Sequence, residues 1–336
     1  LTGLAFVIAH TFVSEKADST PIHDIAPKMV VYHEFDTDKD IPDLSSKVIL
    51  VTGGNSGVGK ESLLQLSKYK PRRLYMTARS KAKYDAALAD IKKQNPDANI
   101  TFLEMDLASF ASVKTAASTV LSENDRLDIL MNNAGIMAVP PGFTKEGFEI
   151  QFGTNHMGHA LLTKLLTPLL LKTAEEPNSD VRIINVSSAA HAITPKGGFA
   201  SETVTTDMAE YHTYTRYGQS KMANIYFSRA LAAKYPTITS IAIHPGRVAT
   251  PLLDRYLETT TAMGLFQRTF DVFRKITVDK GAVNQLWAAV GDRDRVRSGF
   301  YYVPVGKEGG NAQSKAPGKP EELWEWQEKQ FERLGY

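Results

Sequence analysis

From Lys47 onward the chain alternates short, unbroken apolar runs with longer stretches of helical pattern. The runs read "KVILVT", "RLYMT", "NITFLEM", "LDILMN", "VRIINVS" and "SIAIH". A strand with one wet face alternates apolar and polar residues, whereas a strand apolar throughout must be covered on both sides. Helices expected near Gly57 to Lys70, Lys81 to Gln94, Ser109 to Asn124, Gly147 to Thr173 and Thr213 to Tyr235 supply that cover. The pattern predicts an α/β fold, a doubly wound parallel sheet forming a single domain over residues 47–336. A final helix is expected in "PEELWEWQEKQFERL", where Pro320 stands near the first turn and two acids follow at the positive end of the dipole.

Residues 1–46 read differently. The segment from 14 to 46 scatters Pro and Asp with no sustained period, so 1–46 is expected to be an N-terminal extension. Its first stretch, "LTGLAFVIAHTFV", is too short to span a bilayer and carries no basic leader. An amphipathic helix lying on the domain or a partner is the favoured reading and membrane contact the less favoured one. The expected location is cytoplasmic. Lys and Arg total 39 against 37 Asp and Glu, a balance that asks for no nucleic-acid partner. With no cysteine, disulfides, thiolate metal sites and thiol nucleophiles are excluded.

The turn after the first apolar run, "VTGGNSGVGKES", holds two glycine patterns. From Gly54 the letters satisfy the G-x-x-x-x-G-K of a triphosphate loop, while Gly53, Gly57 and Gly59 have dinucleotide-loop spacing. Glycines let the backbone approach an anion, and the following helix offers unpaired N–H groups to either ligand. A triphosphate loop needs Ser or Thr directly after its Lys to ligate magnesium, but Lys60 is followed by Glu61. The loop directly follows the first strand and opens the first helix, which favours a dinucleotide.

In "YGQSKMANIYFSRAL", Tyr217 and Lys221 fall one helical turn apart and so share a face. A free phenol titrates near pH ~10, and a neighbouring ammonium is expected to lower that value, making Tyr217 a proton donor to a carbonyl. Taken with the other motifs, this pair resembles the short-chain dehydrogenase/reductase family, over most of the chain from about Lys47. The shared motifs are "TGGNSGVGK", "MDL", "NNAG", "TNHMGHALLT", "NVSS", the Tyr–Lys pair and "HPGRVAT". The wording is most similar to the retinol-dehydrogenase-like branch and its filamentous-fungal relatives.

The resemblance implies a Rossmann-type fold and a set of roles. Tyr217 would exchange a proton with the substrate oxygen, Lys221 would tune it and hold the nicotinamide ribose, and Asn155 would support a water leading to Lys221. Ser188 would hydrogen-bond the substrate oxygen, with Ser187 instead capping the strand end. The cofactor would lie on Thr52, Gly53, Asn55, Ser56, Gly57, Val58 and Gly59, on Asp106 and Leu107 near the adenine, and on Asn133, Ala134 and Gly135. Pro245, Gly246, Val248 and Thr250 would close over the nicotinamide. Twenty-nine positions separate Ser188 from Tyr217, longer than in most of the family, and the insert at 189–213 is expected to wall the substrate pocket. His191 and His212 within it find no third clustered ligand, so no metal is expected.

Cofactor choice is read at the end of the second strand, "LYMTARSK", where an acid would mark NAD and an Arg the 2′-phosphate of NADP. Ala78 takes the acid's place and Arg79 follows, with Lys60 and Lys81 adding charge, so NADP(H) is expected. After Thr250, Leu252 and Leu253 begin an apolar stretch, expected over 251–280 as a lid on a lipophilic small-molecule substrate. The leading function is an NADPH-dependent carbonyl reductase or alcohol dehydrogenase. The alternatives are a relative repurposed for a non-redox step in secondary metabolism and a dinucleotide-sensing interaction protein. A homodimer is the macromolecular partner this reading allows.

Overall fold

The computed structural model describes residues 35–195, 197–249 and 276–336. Its strands are β1 (Val48–Val51), β2 (Arg73–Ala78), β3 (Thr101–Glu104), β4 (Ile129–Asn132), β5 (Arg182–Val186), β6 (Thr239–Ile243), β7 (Tyr301–Val303) and β8 (Lys307–Glu308). They form one sheet in the order β3-β2-β1-β4-β5-β6-β7-β8. Every pairing from β3 through β7 is parallel, and β8 returns antiparallel at the edge. Because β2 and β3 lie to one side of β1 and β4 to the other, the order reverses at β1/β4, where an open α/β sheet has its ligand crevice.

The connecting helices are α1 (Gly57–Ser67), α2 (Lys81–Lys92), α3 (Phe110–Glu123), α4 (150–174), α5 (Thr213–Lys234), α6 (Val278–Val290) and α7 (Lys319–Arg333). One buried cluster joins Val48, Leu50, Leu130 and Ile183 to side chains of α3, α4, α5 and α7. The other joins Ile49, Val51, Met131 and Ile184 to α1, α2 and α6. Alternate residues of each strand therefore feed opposite faces, as the doubly wound expectation requires.

Sequence reading missed α6, β7 and β8. Strand β7 is a three-residue piece ending just before Pro304, too short for a periodic signal. Helix α6 contains Gly281, where a Cβ would stand 2.4 Å from Val248 Cγ2. Local propensity gives way there to close packing on the segment after β6. Of the lid expected over 251–280, only 276–280 lies among the described residues: Ile276 bridges Val248, and α6 starts at Val278. Residues 35–46, expected within the extension, belong to the compact unit that begins at Phe35, and Ile41 and Leu44 are buried in its core.

Candidate active site

The glycine turn is held from two sides. Gly53 and Gly57 have φ of +64° and +54°, a region that side chains with a Cβ avoid. A Cβ on Gly59 would stand 2.4 Å from Asn133 Nδ2 and 2.8 Å from the Gly53 oxygen. The third glycine thus lets α1 approach the turn after β4. Ser56 caps α1 without a side-chain hydrogen bond, so the amides of Gly57, Val58 and Gly59 are left without a partner from the helix or its cap, at the positive end of the dipole. Asn55 is half-buried beside them. This donor set, lacking a magnesium-binding hydroxyl after Lys60, fits the pyrophosphate of a dinucleotide.

Behind the turn, Thr52 Oγ1 accepts the amides of Asn133 and Ala134, both at 2.9 Å. Asn133 Nδ2 donates to the Thr52 oxygen at 2.7 Å, and its Oδ1 accepts from Gln285 Nε2 of α6 at 2.9 Å. Gln285 Oε1 in turn accepts from Ser62 of α1 at 2.8 Å. No motif in the sequence pointed to Gln285.

Asn155 sits in a π-helical turn, Gly153–Met157, inside α4. A π turn adds a residue to the helix and re-aims its side chains, and such turns concentrate at functional sites. Its Oδ1 accepts from the Ile136 amide at 2.7 Å, and its Nδ2 donates to the Ile136 oxygen and to Ser220 Oγ. The side chain is therefore fully used in joining the exit of β4 to α4 and α5. The main-chain oxygen of Asn155 accepts from His159 Nδ1 at 3.0 Å, which leaves His159 Nε2 to accept from Thr52 Oγ1 at 2.8 Å. Burial pushes His159 down to about 3, so the ring is neutral. This histidine lay within a quoted motif, yet its role shows only through contacts distant in sequence.

Ser188, Tyr217 and Lys221 meet where β5 ends against α5. The 3-10 turn Ala189–Ala192 lies over Gly218, where a Cβ would be 2.5 Å from the Ala190 oxygen and 2.4 Å from that of Ile193. Ser188 Oγ accepts from the Ala190 amide and stands close enough to Tyr217 to favour the phenolate. His191 Nδ1 lies 2.7 Å from the Ser188 oxygen and donates to it, fixing the serine's backbone. Ser187 Oγ donates to the Lys221 main-chain oxygen at 2.7 Å, tying α5 to the strand end. Tyr217 is buried with Met137, Ala138 and Ala190.

Lys221 Nζ donates to the Val186 oxygen at 2.9 Å and lies 5.5 Å from the centre of the Tyr217 ring. Burial drives Tyr217 up to about 12 and Lys221 down to about 7. The expected lowering of the phenol by the ammonium is therefore not what these side chains produce. Desolvation is the leading cause of both shifts, and Lys221 Nζ is docked on a carbonyl rather than on the phenol. A second phenol, Tyr301 of β7, is buried with no hydrogen-bond partner and rests edge-on against His191 at 4.9 Å. With β7 unseen in the sequence, Tyr301 could not be placed.

At the end of β2, Ala78 is buried and Arg79 exposed. Lys60 is paired with Asp90 at 3.0 Å and Lys81 with Asp85 at 2.6 Å. Among the described residues, Arg79 is the cation there that no carboxylate engages. Asp106, half-buried after β3, accepts from the Ala108 amide through Oδ1, and Leu107 is buried beside Gly158 of α4. Ala134 and Gly135 continue the turn after β4, and a Cβ on Gly135 would lie 3.4 Å from Lys221 Nζ. Pro245 and Gly246 follow β6, with Gly246 at φ +97°, and Val248 is buried. Thr250, Leu252 and Leu253 lie outside the described residues.

The insert at 189–213 spends much of itself away from the site. Phe199 stacks on Phe152 at 5.7 Å and meets Trp326 of α7 edge-on at 5.3 Å, while Val204 and Met208 are fully buried. Ala190, near its start, packs against Tyr217. His212, at its end, caps α5 by accepting the Tyr214 amide.

A glycine turn at the switch point of a parallel sheet, with half-buried Ser188 and buried Tyr217 and Lys221 beside it, defines a nucleotide-dependent oxidoreductase of the doubly wound class. Residues 47–200 match the family model described as short chain dehydrogenase. The chain is 37% identical over 307 residues to an uncharacterized oxidoreductase of Schizosaccharomyces pombe, covering 89% of each. It is 32% identical over 283 residues to retinol dehydrogenase 12 of Mus musculus, covering 84% of this chain and 85% of the other. The solved structure of NADPH-bound carbonyl reductase from chicken fatty liver superposes with a TM-score of 0.57 at 25% identity, over 79% of this chain and 99% of that one. The chain belongs to the short-chain dehydrogenase/reductase family, in its retinol-dehydrogenase-like branch, and is an oxidoreductase using a nicotinamide nucleotide and a small-molecule substrate. Among the described residues no helix is long and apolar enough to cross a membrane.

Proposed function

We propose that the protein is an NADPH-dependent carbonyl reductase or alcohol dehydrogenase acting on a lipophilic ketone, aldehyde or secondary alcohol. The meeting of Ser188, Tyr217 and Lys221 at the end of β5 carries this reading. Ser188 hydrogen-bonds the substrate oxygen, and Tyr217, protonated across the neutral range, gives it a proton in the reductive direction. Bound NADPH supplies the hydride. Lys221 leaves the Val186 oxygen to hold the ribose and, once charged there, eases the loss of the Tyr217 proton. Asn155, whose side chain is occupied by Ile136 and Ser220 and whose main-chain oxygen accepts from His159 and Asn224, would act by holding the turn beside Lys221. Met137, Ala138 and Ala190 around Tyr217 support an apolar substrate, and we take Leu252 and Leu253 as further substrate residues.

Preference for NADP rests on Arg79 beside Ala78. A guanidinium can pair bidentately with a 2′-phosphate. Arg79→Ala is expected to raise KM for NADPH by about ten-fold or more while leaving NADH within about two-fold. The assay is loss of reduced-nucleotide absorbance against a panel of apolar ketones and aldehydes with a short keto acid as comparison. A wild-type preference for NADH, or an equal loss with both nucleotides, overturns the cofactor assignment. A preference for the keto acid overturns the substrate class.

A further inference from the structure

The C-terminal helix reaches the catalytic turn through an unbroken line of buried polar side chains. Asn224, one turn beyond Lys221 on α5, directs Nδ2 to two main-chain oxygens: Asn155 at 3.3 Å and Val186 at 3.1 Å. The second is the oxygen on which Lys221 Nζ is docked. With both hydrogens used, Asn224 presents only Oδ1 to His156, whose Nδ1 is 3.2 Å away and must be the protonated nitrogen. His156 Nε2, then a bare acceptor, lies 3.1 Å from the carboxamide of Gln327 on α7, so the NH2 end of that amide belongs there. His156 is fully buried, Gln327 is 1% exposed and Asn224 3%, so breaking a link in this line is costly.

We infer that Gln327, His156 and Asn224 are positioning residues: through them α7 fixes the oxygens of Asn155 and Val186, and with them the place of Lys221. Gln327 and His156 would act only through Asn224 and the turn that carries Asn155. The π turn carrying Asn155 has His156 as its next residue, so a shift of the imidazole moves the turn itself.

The inference rests on the proposed reductase activity, so wild-type turnover is established first; its absence with every carbonyl sinks that activity and not the geometry. Gln327→Met keeps the volume and removes the hydrogen bond, and Gln327→Asn withdraws the amide while keeping its polarity. Both are expected to lower kcat by about ten-fold with KM for NADPH within about two-fold. In an Asn155→Ala background the same changes should have little further effect, because the oxygen they fix no longer lies in an intact turn. Trp326→Phe, which loosens α7 in its aromatic cluster but removes no hydrogen bond of the line, serves as the structural control. The inference is overturned if the Gln327 variants keep wild-type kcat, if Trp326→Phe lowers kcat equally, or if the Gln327 and Asn155 effects multiply independently. Should Gln327→Met not fold, Gln327→Asn alone decides.

Discussion

Lys221 is held at a cost to stability that pH should reveal. Its side chain is 2% exposed, docked on the Val186 oxygen at 2.9 Å, with no carboxylate partner among the described residues. Burial lowers its pKa from 10.5 to about 7. Below pH 7 the folded protein must hold a charge that the unfolded chain solvates freely, and above 10.5 both states are neutral. The penalty is therefore full below pH 7 and fades as pH rises to the unfolded value, since the unfolded chain binds more protons across that window. At about 1.4 kcal/mol per pH unit, the depression sets a ceiling of roughly 5 kcal/mol. Lys221→Met removes the charge while keeping the length. Asn224 Nδ2, 3.1 Å from the Val186 oxygen, keeps that carbonyl paired. The variant is expected to be more stable than wild type at pH 6 by about 2–5 kcal/mol, with the gap narrowing by roughly 2–3 kcal/mol at pH 9. Turnover should vanish. Urea unfolding followed by tryptophan fluorescence at the two pH values measures both gaps. A variant less stable than wild type at pH 6, or a gap that does not narrow by pH 9, refutes the reasoning.

Two further predictions concern the frame of the site. Gly59→Val would drive a branched side chain into Asn133 Nδ2 and the Gly53 oxygen; NADPH affinity, measured by quenching of tryptophan fluorescence, should fall by about ten-fold or more, and unchanged affinity would show that the turn does not hold the cofactor. Arg216 pairs with Glu149 at 3.0 Å, both side chains being buried, so Arg216→Met should cost about 3–5 kcal/mol in urea unfolding by stranding a carboxylate. A loss under about 1 kcal/mol would mean that water reaches Glu149.

Much of this architecture was legible because its strands are covered on both faces. Val48–Val51 and Ile129–Asn132 are buried at every position, and an uninterrupted apolar run between helical patterns has few other readings. The glycine turn and the Tyr217–Lys221 pair were legible for the same local reason, each being defined by spacing within a few residues. Strand β7 and helix α6 escaped because they exist through their neighbours. Tyr301 pairs with Ala242, and Gly281 is required by Val248. The supports of the site escaped because they join distant segments: Gln327 lies 171 residues from His156, and Gln285 152 from Asn133. The electrostatics failed in a different way. Spacing put Lys221 near Tyr217 but carried no measure of burial, and burial decides both pKa values.

The central claim is that Tyr217 delivers the proton in an NADPH-driven carbonyl reduction, and one comparison tests it most directly. Wild type and Tyr217→Phe are mixed with NADPH and a bulky apolar ketone, and nucleotide oxidation and alcohol formation are followed together. Wild type should convert one NADPH per alcohol, and the variant, which loses only the hydroxyl, should be slower by about 10²-fold or more while binding NADPH within about two-fold. Alcohol formation without NADPH oxidation, or a variant that keeps most of its activity, would contradict the account.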